Sequence, residues 1–124
     1  DHFKKTFPDR KVLMIDGAAN LKKRQKVIDE MLVNNNCILV ASYGCCSTGI
    51  TFKNVDYGIF AQSFKSEIIV KQSIGRLMLK NDEKDEFYLY DLVDVLPTGK
   101  LYAQGQSKLK IYEREGFEYK ITFV

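Results

Sequence analysis

Long apolar runs and signal-like segments are missing from the 124 residues of the chain. No apolar run approaches the roughly 20 residues that a membrane-spanning helix needs. The opening stretch, DHFKKTFPDRK, is charged throughout, unlike a secretory signal peptide. We therefore expect neither a membrane protein nor a secreted one, and we predict a cytoplasmic location.

Cysteine and histidine are scarce. The chain has three cysteines, Cys37, Cys45 and Cys46, and a single histidine, His2. An odd number of cysteines, two of them adjacent, does not suit a disulfide framework, and His2 is too distant in sequence to complete a Cys/His metal site. We predict reduced, small buried thiols and no metal-binding residues in this chain.

Positively charged side chains only slightly outnumber negatively charged ones. The net charge is +3, with 45% hydrophobic and 28% charged residues, which is typical of a globular domain. This balance permits a nucleic-acid partner without requiring one. The length predicts one domain with one core. Because the chain begins with Asp1, and residues 2–7 read like the end of a helix, we expect a fragment of a longer protein.

Apolar runs alternate with amphipathic segments. Strands are predicted at 12–16, 37–42, 57–61, 87–95 and 117–124, and helices at 21–34, 67–79 and 100–114. Asn20 is expected to cap the first of these helices, and Ser66 or Ser63 the second. This alternation predicts an α/β fold with a mainly parallel sheet covered by helices on both faces. Ligands of such sheets gather at the carboxyl ends of the strands. The loops after Asp16, Ser42 and Ala61 form that edge.

The stretch QSIGRLMLK, residues 72–80, contains the first candidate site. Gln72 and Arg76 are four residues apart and therefore share the polar side of the predicted helix. Gly75 leaves room there for a close neighbour, at a cost of roughly 1 kcal/mol in helix propensity. Periodicity alone also allows a solvated glutamine and arginine beside a tolerated glycine.

The stretch GCCSTG, residues 44–49, contains the second candidate site. Its small side chains are expected to leave backbone N–H groups free to line a concavity for phosphate oxygens. A helical turn that opens at Thr48 and Gly49 would favour an anion further. Taken alone, the same residues also fit a tight strand-to-helix connection.

The two candidates together resemble a known pair of motifs. ASYGCCSTGI (41–50), followed by QSIGR (72–76), resembles motifs V and VI of superfamily 2 helicases. SEIIVKQSIGRLMLK (66–80) is most similar to the UvsW-type helicases of T-even-like phages. The segments at 15–31 and 102–121 resemble the flanking elements of that group. The resemblance covers residues 1–124 and implies the second RecA-like domain, a three-layer α/β sandwich.

The resemblance implies a shared ATP site. In this family ATP binds between two RecA-like domains, and the first domain holds most of the Mg²⁺ and triphosphate. Motif VI implies that Arg76 neutralises charge developing on the γ-phosphate, with Gln72 beside it as the second catalytic residue. The further ATP-binding positions that the resemblance implies are Gly49, Thr51, Gly75 and Lys80.

The resemblance also implies DNA as a partner. Motif V contacts the backbone of the nucleic-acid strand, which positions the strand without reading its sequence. The implied contacts are Ser42, Tyr43, Gly44 and Thr48. Lys22 is a further candidate, and a solvated surface lysine is an equal alternative for it. Arg24 is predicted instead to lie buried against a carboxylate or a carbonyl.

Two positions depart from the family pattern. Leu79 stands where many relatives carry a second motif VI arginine, and Lys80 offers only a point charge in its place. Thr51 stands where DEAD-box-like relatives carry an aspartate. The chain also has no GxxxxGK[ST] phosphate loop, so alone it is expected not to hydrolyse ATP.

Three hypotheses follow. The first is the second motor domain of an ATP-dependent DNA helicase that acts on branched DNA in replication, recombination or repair, in the bacterial host cytoplasm if phage-encoded. The second is a non-catalytic domain that binds nucleic acid or regulates a partner, which Leu79 favours. The third is a small module for a flavin or another phosphate-bearing ligand, which explains neither motif.

Overall fold

The computed structural model describes residues 2–47, 52, 54–63, 66–78, 86–94 and 99–124, with the backbone alone given for 46 and 47. Helices and strands alternate along it, as the apolar pattern predicts. In chain order they are α1 His2–Thr6, β1 Lys11–Ile15, α2 Leu21–Val33, β2 Cys37–Ala41, α3 Tyr43–Ser47, β3 Tyr57–Phe60, α4 Glu67–Leu77, β4 Tyr88–Asp91 and α5 Lys100–Arg114.

Side-chain caps define where two of the helices begin. The side chain of Asn20 accepts a hydrogen bond from the backbone N–H of Lys23 at 2.9 Å, at the start of α2. The hydroxyl of Ser66 accepts one from the N–H of Ile69 at 3.4 Å, at the start of α4. Each cap satisfies a donor that the first helical turn leaves unpaired.

The strands pair in parallel. Strand β1 lies beside β2 with Leu13 opposite Leu39, and β3 lies beside β4 with Ile59 opposite Tyr90. In the described part of the chain these pairs are two separate two-stranded sheets. Parallel pairing brings the carboxyl ends of each pair to one edge.

Two clusters of buried side chains form the core. The first consists of Leu13, Ile15, Ala19, Val27, Met31, Cys45 and Phe52. The second consists of Phe60, Val70, Ile74, Ile111 and Tyr112. Leu77, at the end of α4, packs against both clusters and joins them.

The β3–β4 pair departs from the expectation of burial on both faces. Four side chains on one face are at least half exposed: Tyr57, Ile59, Tyr88 and Tyr90. Successive side chains alternate between the faces of a strand, and the second cluster covers only the face that carries Phe60 and Leu89. An apolar strand sequence does not by itself say that both faces are covered.

The prediction of a terminal strand is wrong. Residues 117–124 have no strand assignment, and Ile121 and Phe123 are exposed. A segment with alternating apolar residues forms a strand only where a sheet edge is available to pair with its backbone. The fourth predicted strand, 87–95, is also shorter than expected and covers Tyr88–Asp91.

Candidate functional site

The loops after β1 and β2 meet at the edge formed by the carboxyl ends of these strands. The backbone N–H of Ser42 donates to the carbonyl of Ile15 at 3.2 Å. The thiol of Cys45 donates to the carbonyl of Asp16 at 3.0 Å. The predicted edge is therefore assembled by contacts between residues that are far apart in sequence.

The segment that was predicted to be a small-residue loop is helical over its first part. Helix α3 begins directly after Ser42, and the N–H of Cys45 donates to the carbonyl of Ser42 at 3.0 Å. That amide is therefore already used within the turn. Burial of Cys45, which is 1% exposed, holds this turn against the first cluster. The Ser42 hydroxyl donates to the Cys45 sulfur at 3.3 Å.

The residues predicted to contact DNA differ in exposure. Ser42 and Gly44 are exposed, and a Cβ added at Gly44 would meet no atom of the described residues within 4 Å. Tyr43 between them is half-buried. Its hydroxyl donates to the carbonyl of Gln62 at 2.7 Å, and its ring lies 5.1 Å from that of Phe60.

Helix α4 presents its predicted polar side. Val70 and Ile74 are buried in the second cluster, whereas Gln72 is exposed and Arg76 is half-buried. No atom of the described residues lies within 4 Å of a Cβ added at the exposed Gly75. The described neighbours leave the space that is predicted beside Gly75.

Helices α3 and α4 pack against each other, so the segment that resembles motif V lies beside the helix that carries Gln72 and Arg76. Ser73 of α4 is fully buried, and its hydroxyl has no hydrogen-bond partner among the described residues. Burial of a small side chain there is compatible with the close approach of the two helices.

Lys22 lies at the start of α2. It is exposed and lines a shallow depression together with Asn20 and Leu21. Arg24 lines the same depression, and its Nε donates to the carbonyl of Ala19 at 2.9 Å. The predicted contact of Arg24 with a carbonyl is present, whereas its side chain is half-buried and not buried as predicted.

Several predicted site residues lie outside the described residues. These are Thr48, Gly49, Thr51 and Lys80, together with Leu79. Their expected roles therefore stay predictions from the motif resemblance.

Helix α5 anchors α4 by apolar packing and by ion pairs. Ile111 and Tyr112 share the second cluster with residues of α4. Beside this contact, Lys71 lies 2.5 Å from a Glu115 oxygen, and Arg114 pairs with Glu67. The Lys71 ammonium lowers the pKa of the Glu115 carboxyl, and hydrogen bonding to Glu115 raises the pKa of Lys71.

Sequence reasoning missed a buried polar cluster under β4. Lys108 is 1% exposed and pairs with Asp91, which also accepts a hydrogen bond from the Tyr112 hydroxyl at 2.8 Å. Burial, followed by the bond to Asp91, raises the pKa of Tyr112. A signal was available, because Lys108 lies between Gly105 and Ile111 on the buried side of α5.

Two further properties concern the described residues. None of their helices has the length and apolar character to cross a membrane. No group of three or more His, Cys, Asp and Glu side chains among them is arranged to hold a metal ion.

Comparison with known proteins identifies the family. Residues 1–78 match the family model described as the helicase conserved C-terminal domain. The chain belongs to this family. This helicase C-terminal domain is 40% identical over 130 residues to the "ATP-dependent DNA helicase uvsW" of Enterobacteria phage T4, an alignment that covers 92% of the chain and 26% of that helicase. The resemblance of the chain to UvsW-type helicases is confirmed.

The fold of the helicase C-terminal domain is similar to a solved structure. The crystal structure of the C-terminal part of the Fun30 ATPase domain matches with a TM-score of 0.64 at 15% identity, covering 91% of this chain and 43% of that one. The prediction of an α/β, RecA-like fold is confirmed. The chain spans about a quarter of the length of the T4 helicase.

Proposed function

We propose that this helicase C-terminal domain is the second motor domain, spanning residues 1–124, of an ATP-dependent DNA helicase or translocase. In this proposal it closes against a first RecA-like domain, and ATP binds between the two. Membership of the helicase family and the 40% identity to a DNA helicase support the proposal. The similarity to a phage helicase favours branched DNA of replication, recombination or repair as substrate, in the host cytoplasm.

The polar side of α4 is the observation that carries the proposal. The buried Val70 and Ile74 fix the opposite side of the helix, so Gln72 and Arg76 face away from the core. A half-buried guanidinium loses less side-chain entropy on binding a phosphate than a fully solvated one. It is therefore suited to stabilise the charge that develops during phosphoryl transfer. The open space at Gly75 lets a ligand approach the helix closely.

The described residues fit one half of an ATP site. Arg76 and Gln72 supply hydrogen-bond donors, whereas the metal-binding carboxylates belong to the first domain in this proposal. Bound Mg²⁺ would neutralise phosphate charge. Gly49, Thr51 and Lys80 are proposed as further neighbours of the nucleotide on the motif resemblance alone. The isolated chain is accordingly expected not to hydrolyse ATP.

The exposed residues around the start of α3 form the proposed DNA contact. Ser42 and Gly44 are exposed at the strand ends. The Ser42 hydroxyl donates to the Cys45 sulfur at 3.3 Å and would exchange this weak acceptor for a phosphate oxygen. Thr48 is proposed beside them from its motif position. Lys22 would add a phosphate contact from the start of α2. Such contacts hold the strand without reading bases. Tyr43 donates its one hydroxyl hydrogen to Gln62, and we assign it a different role below.

The test is DNA-stimulated ATP hydrolysis by the longest natural polypeptide that contains these residues. Arg76→Ala should lower kcat by roughly a thousandfold, the lower range for loss of an arginine that stabilises the transferred phosphoryl group. DNA affinity should change much less, because Arg76 is assigned to the nucleotide and not to the strand.

Arg10→Ala is the matched control, because Arg10 is exposed and lies before β1. It should leave kcat and DNA affinity unchanged. Equal losses of kcat and DNA affinity in Arg76→Ala would contradict the assignment. Absence of turnover in the wild-type protein, with DNA binding retained, would favour a non-catalytic domain, the alternative that Leu79 supports.

A further inference from the structure

Helix α3 connects the two core clusters through neighbouring side chains. Cys45 is buried in the first cluster, where its thiol donates to the Asp16 carbonyl at 3.0 Å. Tyr43 packs against the second cluster, with its ring tilted by 53° to that of Phe60 and 5.1 Å away. A movement of this short helix would therefore displace side chains in both clusters.

The hydroxyl of Tyr43 reaches the segment that leads into α4. It donates to the carbonyl of Gln62 at 2.7 Å, across 19 residues of sequence. Ser63, the next residue, is buried, and Ser66 caps α4 three residues later. Because a phenol carries one hydrogen, Tyr43 cannot donate to Gln62 and to a phosphate at the same time.

The residues on either side of Tyr43 are the exposed ones. Ser42 and Gly44 face solvent at the sheet edge, and they are the proposed contacts for the DNA backbone. A strand that binds there acts on the backbone immediately before and after Tyr43. A displacement there would act on Gln62 through the Tyr43 hydroxyl, and through Gln62 on the segment that precedes the helix carrying Arg76.

We propose that Tyr43 is a positioning residue that couples DNA binding at Ser42 and Gly44 to the placement of the Arg76 helix. It acts through its hydrogen bond to the Gln62 carbonyl and does not touch DNA or nucleotide. This inference rests on the proposed function. It adds a specific link between the two halves of that function, at a residue that the motif resemblance assigns to DNA contact.

The test is Tyr43→Phe in the longest natural polypeptide that contains these residues, with a single-stranded poly-dT oligonucleotide as the DNA. The ring and its packing on Phe60 are kept, and only the hydroxyl is lost. The ratio of DNA-stimulated to basal kcat should fall by roughly threefold to tenfold, the range that loss of one hydrogen bond allows. The Kd for the oligonucleotide should stay within about twofold of the wild-type value, because loss of a direct hydrogen bond to DNA would raise the Kd by more than that.

A second readout does not depend on turnover. In the wild-type protein, oligonucleotide binding should slow amide hydrogen exchange in the described residues 61–63 and 66–78. In Tyr43→Phe this slowing should be lost, although the oligonucleotide still binds. A merely structural role would speed exchange equally with and without DNA, and that outcome would overturn the proposal.

Tyr119→Phe is the matched control, because its hydroxyl bonds Glu113 on the exposed surface at 2.7 Å. It should change neither the stimulation ratio nor exchange in α4. Weaker oligonucleotide binding by Tyr43→Phe with an unchanged ratio would make Tyr43 a direct DNA contact and overturn the coupling role. Absence of turnover in the wild-type protein would refute the proposed function, whereas the exchange measurement would still decide the Tyr43 link.

Discussion

At the scale of single residues, Lys108 is the least expected side chain. It is 1% exposed, pairs with Asp91 and lies 5.9 Å from the centre of the Phe60 ring. Tyr112 donates to the second oxygen of the same carboxylate. A buried ion pair contributes little net stability over apolar packing, but removing one partner leaves a buried charge without compensation.

We therefore expect Lys108→Ala to lower the free energy of unfolding by about 3–5 kcal/mol, measured by urea denaturation. Lys110→Ala is the matched control, because Lys110 is exposed on the same helix. The double variant Lys108→Met with Asp91→Asn should recover part of the loss, since neither charge remains and an amide oxygen still accepts from Tyr112. A loss in Lys108→Ala no larger than that of the control would contradict this account.

At the scale of secondary-structure elements, the glycines inside the two helices α4 and α5 have opposite surroundings. No described neighbour lies within 4 Å of a Cβ added at Gly75 of α4, whereas a Cβ added at Gly105 of α5 would clash with the side chain of Val93. Glycine lowers helix stability in both places. The close packing of α5 on Val93 explains why position 105 is glycine, whereas no described neighbour explains the glycine at position 75.

Gly75→Ala should raise the free energy of unfolding by up to about 1 kcal/mol, the difference in helix propensity. Gly105→Ala should lower it by about 1–3 kcal/mol through overpacking. If a ligand approaches α4 at Gly75, as proposed, the stabilised variant should also lose ATP hydrolysis, measured in the longest natural polypeptide. Stability gained without loss of turnover would remove Gly75 from the proposed site.

The ion pairs between α4 and α5 depend on pH in a defined direction. The pKa of Glu115 is lowered, first by its hydrogen bond with Lys71, from an ordinary value of 4.5. Its charged form is therefore favoured in the folded protein. The stability that it contributes is present above pH 4.5 and is lost as the pH falls through the lower, folded value.

Urea denaturation of the wild-type protein and Lys71→Ala across the acidic range tests this. The wild-type protein should be the more stable at neutral pH, by a small margin because these groups are exposed. The margin should shrink below pH 4.5 as Glu115 is protonated, and added salt should shrink it at neutral pH. A margin that stays constant on acidification would show that the pair does not act through charge.

At the scale of the whole molecule, the core of the described residues consists of two clusters, which α3 and Leu77 join. One cluster supports the strand ends near the proposed DNA contact, and the other supports the helix that carries Arg76. This division gives the proposed motor a physical basis, because binding on one side can shift the other. The chain spans about a quarter of the T4 helicase, so activity is proposed for a longer polypeptide.

The interactions that the sequence predicts join residues that lie close together along the chain. Asn20 caps α2 through a residue three positions away, and Arg24 bonds a carbonyl five positions away. Ser66 caps α4 in the same local way. Helical periodicity likewise separates Val70 and Ile74 from the polar side of α4, because it depends only on neighbouring turns.

The sequence by itself determined the α/β class, the helix caps, the two motifs and the polar side of α4. Only the tertiary structure decided that Tyr43 bonds Gln62, 19 residues away, and that Lys108 is buried against Asp91, 17 residues away. It also decided that residues 117–124 find no strand partner in the described part of the chain. The physical reason is that periodicity and capping act between near neighbours, whereas burial and pairing depend on which distant surfaces the fold brings into contact.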